Sequence, residues 1–248
     1  MDLSVILTLH NEELLAHVTM KSIEQCLSMA QKRGFECEVL LVLDCASSET
    51  WRVAQNCKKT LRGQRVTILD AQNKDLGLSR NAGVQASSGE YIAICDGDDY
   101  YSQNWFASAL TTQRMAPAAE YNRLILHPEY VVSFGAHFSY ARQVSRTENR
   151  NPLGLFADNW WCAWTIAHRS VFLAVQYTRN DLVTNGFGFE DWHWNCETIA
   201  QGFIHDIVPQ TAAYYRRKST GLHSESVTQN VLPRPSRLFA RNSAAIAH

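Results

Sequence analysis

The chain has 248 residues, 46% hydrophobic and 19% charged, with a formal net charge of -1. A chain of that size buries a core without disulfide or metal staples, and a charge so close to zero excludes a global basic field for nucleic acid. Seven cysteines without a C-x-x-C pair exclude a zinc ribbon and read as buried free thiols of a reducing compartment.

The N-terminal "MDLSVILTLHNEE" is too short and acidic for a signal peptide, and no apolar run approaches the ~20 residues that span a bilayer. The expected location is cytoplasmic, including the inner face of a membrane. "LSVILTL", Leu3 to Leu9, reads as a buried strand. A helix follows, with Leu14, Leu15, Val18, Ile23 and Leu27 at helical spacing, Asn11 as its cap and Gly34 as its stop. "CEVLLVLD" is a second buried strand ending at Asp44, and "SSETWRVAQNCKKTL" a helix capped by Ser47 or Ser48. "RVTILD" is a third strand, "LSRNAGVQASSG" a helix ending at Gly89, and "EYIAICD" a fourth strand. Strands alternating with helices in this rhythm predict an α/β fold, a mostly parallel central sheet flanked by helices. Ligands bind such sheets at the carboxyl ends of the strands, where Asp44, Asp70 and Asp96 all fall.

The middle is less regular. "HPEYVVSFGAHFSYA" holds strand-like runs, "QVSRTENRNPLG" an exposed loop, and "NWWCAWTIAHRSVFLAVQY" many aromatics. "NDLVTNGFGFEDWHWNCETIAQGF" is a glycine-punctuated loop entering a helix near Glu190 and ended by Gly202. A late strand and a basic segment follow. The expected organisation is one domain over 1–230 in two halves, a regular one over about 1–103 and a less regular one over about 104–230. Residues 231–248 form a basic tail, a linker to a further domain or an arm onto a membrane or partner.

The stretch "CDGDDYY" places Asp96, Asp98 and Asp99 within four positions. Bare, these carboxylates repel one another. Asp96 and Asp98 at a strand end could both reach one divalent cation, and hard oxygen ligands suit Mg²⁺ or Mn²⁺ bridging to phosphates. Gly97 between them gives the loop a sharp turn and room for a ligand. An isolated D-x-D is equally compatible with a solvated turn.

Together with "SVILTLHNEE", "VLLVLDCASSET" and "NKDLGLSRNAGVQASSGEYIAICDGDDYY", and later "NGFGFEDWHWNCETIAQGF", the loop resembles family 2 glycosyltransferases of the GT-A fold. The resemblance runs from the first strand to about residue 220. It implies an inverting transfer of a sugar from a nucleotide-diphosphate donor, a UDP-sugar favoured, to a saccharide or lipid-linked saccharide. Donor contacts are implied at Thr8, His10, Asn11, Glu12, Asp44, Arg80, Asn81, Asp96 and Arg216. The implied metal ligands are Asp98, Asp96 and His223, with Asp99 helping through water. Of the pair Glu190 and Asp191, the aspartate is implied as the base that deprotonates the acceptor hydroxyl. Trp160, Trp161 and Trp192 are candidate acceptor contacts, because sugar rings stack on aromatics, although aromatics equally fill cores. No Q-x-x-R-W element follows the acidic pair, which argues against a processive membrane synthase. A single-transfer enzyme of surface polysaccharide synthesis, or one module of a polymerase, fits better. The rival readings are a sugar nucleotidyltransferase, disfavoured because "TLHNEE" is no glycine-rich phosphate loop, and a catalytically silent nucleotide- or sugar-binding module.

Overall fold

A computed structural model describes residues 1–61, 63–148, 151–180, 186–218 and 221–243. The strands β1 (Leu3–Leu9), β2 (Cys37–Asp44), β3 (Arg65–Ala71) and β4 (Tyr91–Asp96) alternate with α1 (Leu15–Lys32), α2 (Ser48–Thr60) and α3 (Leu76–Ala86). They pair in parallel in the order β3-β2-β1-β4. Every residue of β1 and β2 is buried, as near-continuous Val/Ile/Leu runs require when both sheet faces are covered. Leu3, Val5, Leu7 and Leu9 share a core with Ile23 and Leu27 of α1. Ile6, with the opposite side-chain direction, packs with Val84 of α3.

The chain continues through β5 (Tyr100–Tyr101), α4 (Trp105–Met115), β6 (Leu124–Gly135), β7 (Ser139–Arg142), β8 (Ile166–His168) and α5 (Arg169–Ala174). It ends through β9 (Phe187–Gly188), α6 (Glu190–Ala200), β10 (Ile204–Arg217), α7 (Leu222–Thr228), β11 (Leu232–Pro233) and α8 (Arg237–Ser243). The sheet extends beyond β4 as β8-β6-β10-β5, with β7 on β6. β8 is antiparallel to both neighbours, β6 and β10 are parallel, and β5 is antiparallel to β10. The sheet is therefore parallel in its first half and mixed in its second.

Local chemistry shifts several boundaries. α1 begins at Leu15, beyond the expected Asn11 cap, because Asn11 Oδ1 instead accepts the Ser47 N–H at 3.2 Å. Gly34, at φ 81°, stops α1 as expected. Ser47 caps α2 by accepting the Thr50 N–H. α3 starts at Leu76 because the Asp75 carboxylate caps it through Leu78 N–H at 2.7 Å. The loop expected to be exposed after Ala141 buries Gln143 and Ser145. Gln143 donates to Pro128 O at 2.6 Å and accepts the Cys162 N–H at 2.8 Å, so its polarity is satisfied inside.

Residues 232–239 lie against α6: β11 pairs with β9, Leu238 is buried with Leu155, Trp161 and Cys196, and Arg237 meets Glu197 at 2.7 Å. All seven cysteines are free thiols. Among the described residues no helix is long and apolar enough to cross a membrane.

In a helix, alanine is normally preferred over glycine by about 1 kcal/mol. At Gly83 of α3 an added methyl would lie 2.5 Å from Ile6 Cγ2 and 3.1 Å from Val42 Cγ2. Gly83→Ala is therefore expected to destabilise by about 1–3 kcal/mol, read as a lower urea midpoint at unchanged slope.

Candidate active site

The carboxyl ends of β1, β2 and β4 lie side by side, and the acidic loop turns back over the end of β1. Its closeness is steric: a Cβ on Gly97 would stand 2.4 Å from Leu9 Cδ2 and 2.8 Å from Thr8 O. The space beside this glycine is thus filled by protein, where the sequence suggested room for a ligand. Thr8 is buried and its hydroxyl faces Asp96 Oδ1 at 3.5 Å. The buried Tyr101 hydroxyl accepts the Asp96 N–H at 2.9 Å.

The three acids of this loop do not converge; each meets a different partner. Asp96 Oδ1 accepts from Arg80 Nη2 at 2.8 Å. Asp98 Oδ2 pairs with Lys218 Nζ at 2.6 Å. Asp99 is buried, accepting from Trp164 Nε1 at 3.0 Å and Arg216 N–H at 2.8 Å, and burial beside Asp98 and Asp96 pushes its carboxyl well up. Both Asp99 oxygens are thus engaged inside the protein. Among the described residues no group of three or more His, Cys, Asp or Glu converges on a cation position. Asp98 keeps the chemistry for one: a hard carboxylate, 17% exposed, already facing a cationic ammonium. One such carboxylate plus substrate phosphates is a usual Mg²⁺ shell. His223 lies in α7, but its side chain falls outside the described residues.

Arg80 sits under the site. It is 1% exposed, and while one nitrogen holds Asp96, Nη1 holds Glu190 Oε1 at 2.8 Å. Its guanidinium also lies 5.3 Å from the Tyr177 ring centroid. Both arms of the fork are spent on carboxylates, so Arg80 is not placed as the expected phosphate donor; it ties the acidic loop to α6. Glu190 and Asp191 open α6, where acids suit the helix N-terminus. Phe189, just before them, adopts φ 56°, a left-handed conformation costly for a bulky residue. Burial, then the neighbouring Glu190, pushes the Asp191 carboxyl up to about 7, with Arg80 opposing. Its Oδ2 accepts from Asn159 Nδ2 at 3.1 Å.

The remaining expected residues divide. Asp44 is saturated: Oδ1 accepts the N–H groups of Asn73 and Lys74, and Oδ2 accepts Asp75 N–H and the Ser79 hydroxyl, at 2.8–2.9 Å. All four of its acceptor positions are used, so it organises the loop before α3 and offers no open acceptor to a base. Asn81 is likewise spent, bonding the Tyr177 backbone through both amide atoms at 2.8 and 3.0 Å. His10 and Asn11 are exposed, and His10 Nδ1 donates to Asp44 O at 2.6 Å. Glu12 is half-buried, its carboxyl held above the ordinary range by burial and by Asp98, although His10 N–H donates to it. Arg216 lies over the Tyr100 and Phe134 rings and donates from Nε to Asp98 O at 3.2 Å. Lys218 meets the Asp98 side chain. Asp70 is exposed and bonded by Gln72.

Trp161 is corrected from acceptor contact to core. It is fully buried, stacked 4.2 Å from His205, with Nε1 on Val144 O. Trp192 donates to Leu155 O at 2.7 Å, and it and Trp160 are half-buried. Asn159 and Tyr177 were missed. Neither carries a local motif, and their roles exist only through contacts made far along the chain.

A parallel βα half, an acid loop after the fourth strand and an acidic pair opening α6 define a GT-A glycosyltransferase. Residues 4–171 match the family model described as glycosyl transferase family 2, and the chain belongs to that family. It is 31% identical over 122 residues to the uncharacterized glycosyltransferase EpsJ of Bacillus subtilis (strain 168), covering 49% of this chain and 31% of that protein. The solved structure of S. aureus TarS 1–349 in complex with UDP-GlcNAc superposes with TM-score 0.64 at 14% identity, over 90% of this chain and 61% of that one. The mannosyltransferase PcManGT from Pyrobaculum calidifontis, in complex with GDP-Man and Mn2+, gives TM-score 0.61 at 14% identity, over 90% and 59%. The chain spans less than two thirds of the length of each of these relatives.

Removing one partner of a buried charge cluster leaves the others uncompensated, at about 3–5 kcal/mol. Arg80→Met strands Asp96 and Glu190 together and should lose that much stability in chemical denaturation. An effect below ~1 kcal/mol would contradict the bridge described here.

Proposed function

We propose that this chain is an inverting, metal-dependent enzyme. It moves a sugar from a nucleoside-diphosphate sugar, a UDP-sugar first, to a hydroxyl of a saccharide or lipid-linked saccharide, in surface polysaccharide synthesis. The observation that carries the reading is Asp191, a half-buried carboxyl pushed up to about 7 at the start of α6 and joined through Glu190 and Arg80 to the acid loop. A general base works best with its pKa near the working pH. UDP-GlcNAc in the TarS complex and GDP-Man with Mn2+ in PcManGT support a nucleotide-sugar donor and a divalent ion for the same fold.

In this reading residues 1–103 hold the donor and 104–230 the acceptor. Thr8, His10, Glu12 and Asp96 border the donor pocket at the strand ends. Asp191 takes the acceptor proton while the freed oxygen bonds to the anomeric carbon from the face opposite the diphosphate. The sugar–diphosphate bond breaks with its electron pair going to the leaving group, so configuration inverts. Arg216, Arg217 and Lys218, at and after the end of β10, supply positive charge beside the acid loop. Asp98 would hold the divalent ion, whose bound chemistry is to neutralise charge on the departing diphosphate. Trp160 and Trp192, both half-buried, are the tryptophans placed for sugar contact.

Asp191→Asn is expected to lower turnover, read as UDP released from UDP-GlcNAc, by about 10²–10⁴, with the UDP-induced rise in melting temperature retained. Full turnover in that variant would end the proposal. The base acts ionised, and its folded pKa is raised to about 7. The pH profile of kcat/KM should therefore climb about tenfold per unit below neutrality and level off above it. Asp98→Asn should abolish the part of the UDP thermal shift that depends on Mn²⁺; an unaltered Mn²⁺ dependence would remove Asp98 from the site.

A further inference from the structure

Asn159 lies in the loop ahead of β8, 32 residues before Asp191, and its hydrogen-bond polarity can be read atom by atom. The Trp161 carbonyl can only accept, so the Asn195 group 2.9 Å from it is the NH₂. The same Asn195 nitrogen lies 2.9 Å from Asn159 Oδ1. Asn159 must then present its own NH₂ in the other direction, toward Asp191 Oδ2 at 3.1 Å. The anchor is rigid: Asn195 is 1% exposed on α6, and Trp161 is fully buried. A donor facing Oδ2 takes one of its lone pairs and favours the ionised carboxylate, which is the stronger acceptor.

We propose that Asn159 is the positioning residue of Asp191, orienting its carboxyl by donating to Oδ2 and favouring the ionised form that takes the proton from the acceptor hydroxyl. The inference rests on the reading of Asp191 as the base. As the O–H bond breaks, the proton goes to the Asp191 carboxylate and the electron pair stays on the hydroxyl oxygen, which bonds to the anomeric carbon; the pair of the broken sugar–diphosphate bond leaves with the diphosphate. Asn159 also sets when Asp191 is available. Glu190 on α6 and Asp96 at the end of β4 oppose ionisation of Asp191, and Arg80 on α3 favours it. Among the described residues, Cys162 ahead of β8 and Tyr177 after α5 also face it, and the Trp192 backbone N–H donates to it. A neutral N–H aimed at the ionised carboxylate acts with Arg80.

The test is a ¹³C NMR titration of protein labelled at aspartate Cγ, with the Asp191 resonance assigned by Asp191→Asn. Asn159→Ala removes the donor, and Asn159→Asp removes it at constant shape while still accepting from Asn195. Both should move the Asp191 midpoint upward by about one pH unit, more in Asn159→Asp because a second carboxylate is added. UDP release from UDP-GlcNAc should fall about fivefold in kcat at pH 7 with donor KM unchanged, since a midpoint moved up one unit from about 7 takes the ionised fraction from about a half to about a tenth. An unmoved midpoint in folded Asn159→Asp overturns the inference. So does a loss of kcat that accompanies a lower melting temperature without a midpoint shift. If Asp191→Asn keeps its turnover, the base assignment falls and this inference with it. An inactive Asp191→Asn beside an unmoved midpoint overturns the Asn159 role alone.

Discussion

The candidate site depends on one buried guanidinium. Arg80 is 1% exposed, and a charge so deeply placed persists only when paired and hydrogen-bonded. Asp96 and Glu190 provide that pairing, lying 16 and 110 residues beyond the arginine. The bridge joins the end of β4 to the start of α6. It therefore fixes the distance between the acid loop and the acidic pair, which in the proposed reaction are the leaving-group side and the attacking side. Arg80 reaches this position because α3 is packed tightly on the sheet, with Gly83 one turn later lying against Ile6 and Val42.

The same economy of charge organises the loop itself. Three carboxylates in four positions offset part of their mutual repulsion by taking separate cations and donors: Arg80 for Asp96, Lys218 for Asp98, and Trp164 with the Arg216 backbone for Asp99. Burial acts against the Lys218 ammonium, yet Asp98 more than offsets this and raises it above its ordinary value. An ammonium on Asp98 and a divalent ion on Asp98 are competing solutions to the same electrostatic demand. The segment carrying Lys218 is thereby linked to the charge state of the acid loop.

Much of this protein was legible from residue pattern. The βα rhythm of the first half, the strand ending at Asp44, the Ser47 cap, the Gly34 stop and the helix beginning at Glu190 follow from periodicity and capping chemistry, which are local. Other local readings failed because a distant partner intervened. Asn11 looked like a cap until Ser47 claimed its side chain. Asp44 looked like an open acceptor until the loop before α3 filled it. Trp161 looked like a sugar platform, but His205 and His127 stack against it in the core.

The amino-acid sequence alone determined the fold class, the family and the identity of the acids at the strand ends and at the start of α6. These rest on short-range spacing, which survives in one dimension. Only the tertiary structure decided which carboxylate meets which cation, which tryptophan is core and how Asn159 is wired to Asp191. Those choices compare the desolvation of each charge with the partners available to it, and the partners lie tens to more than a hundred residues away.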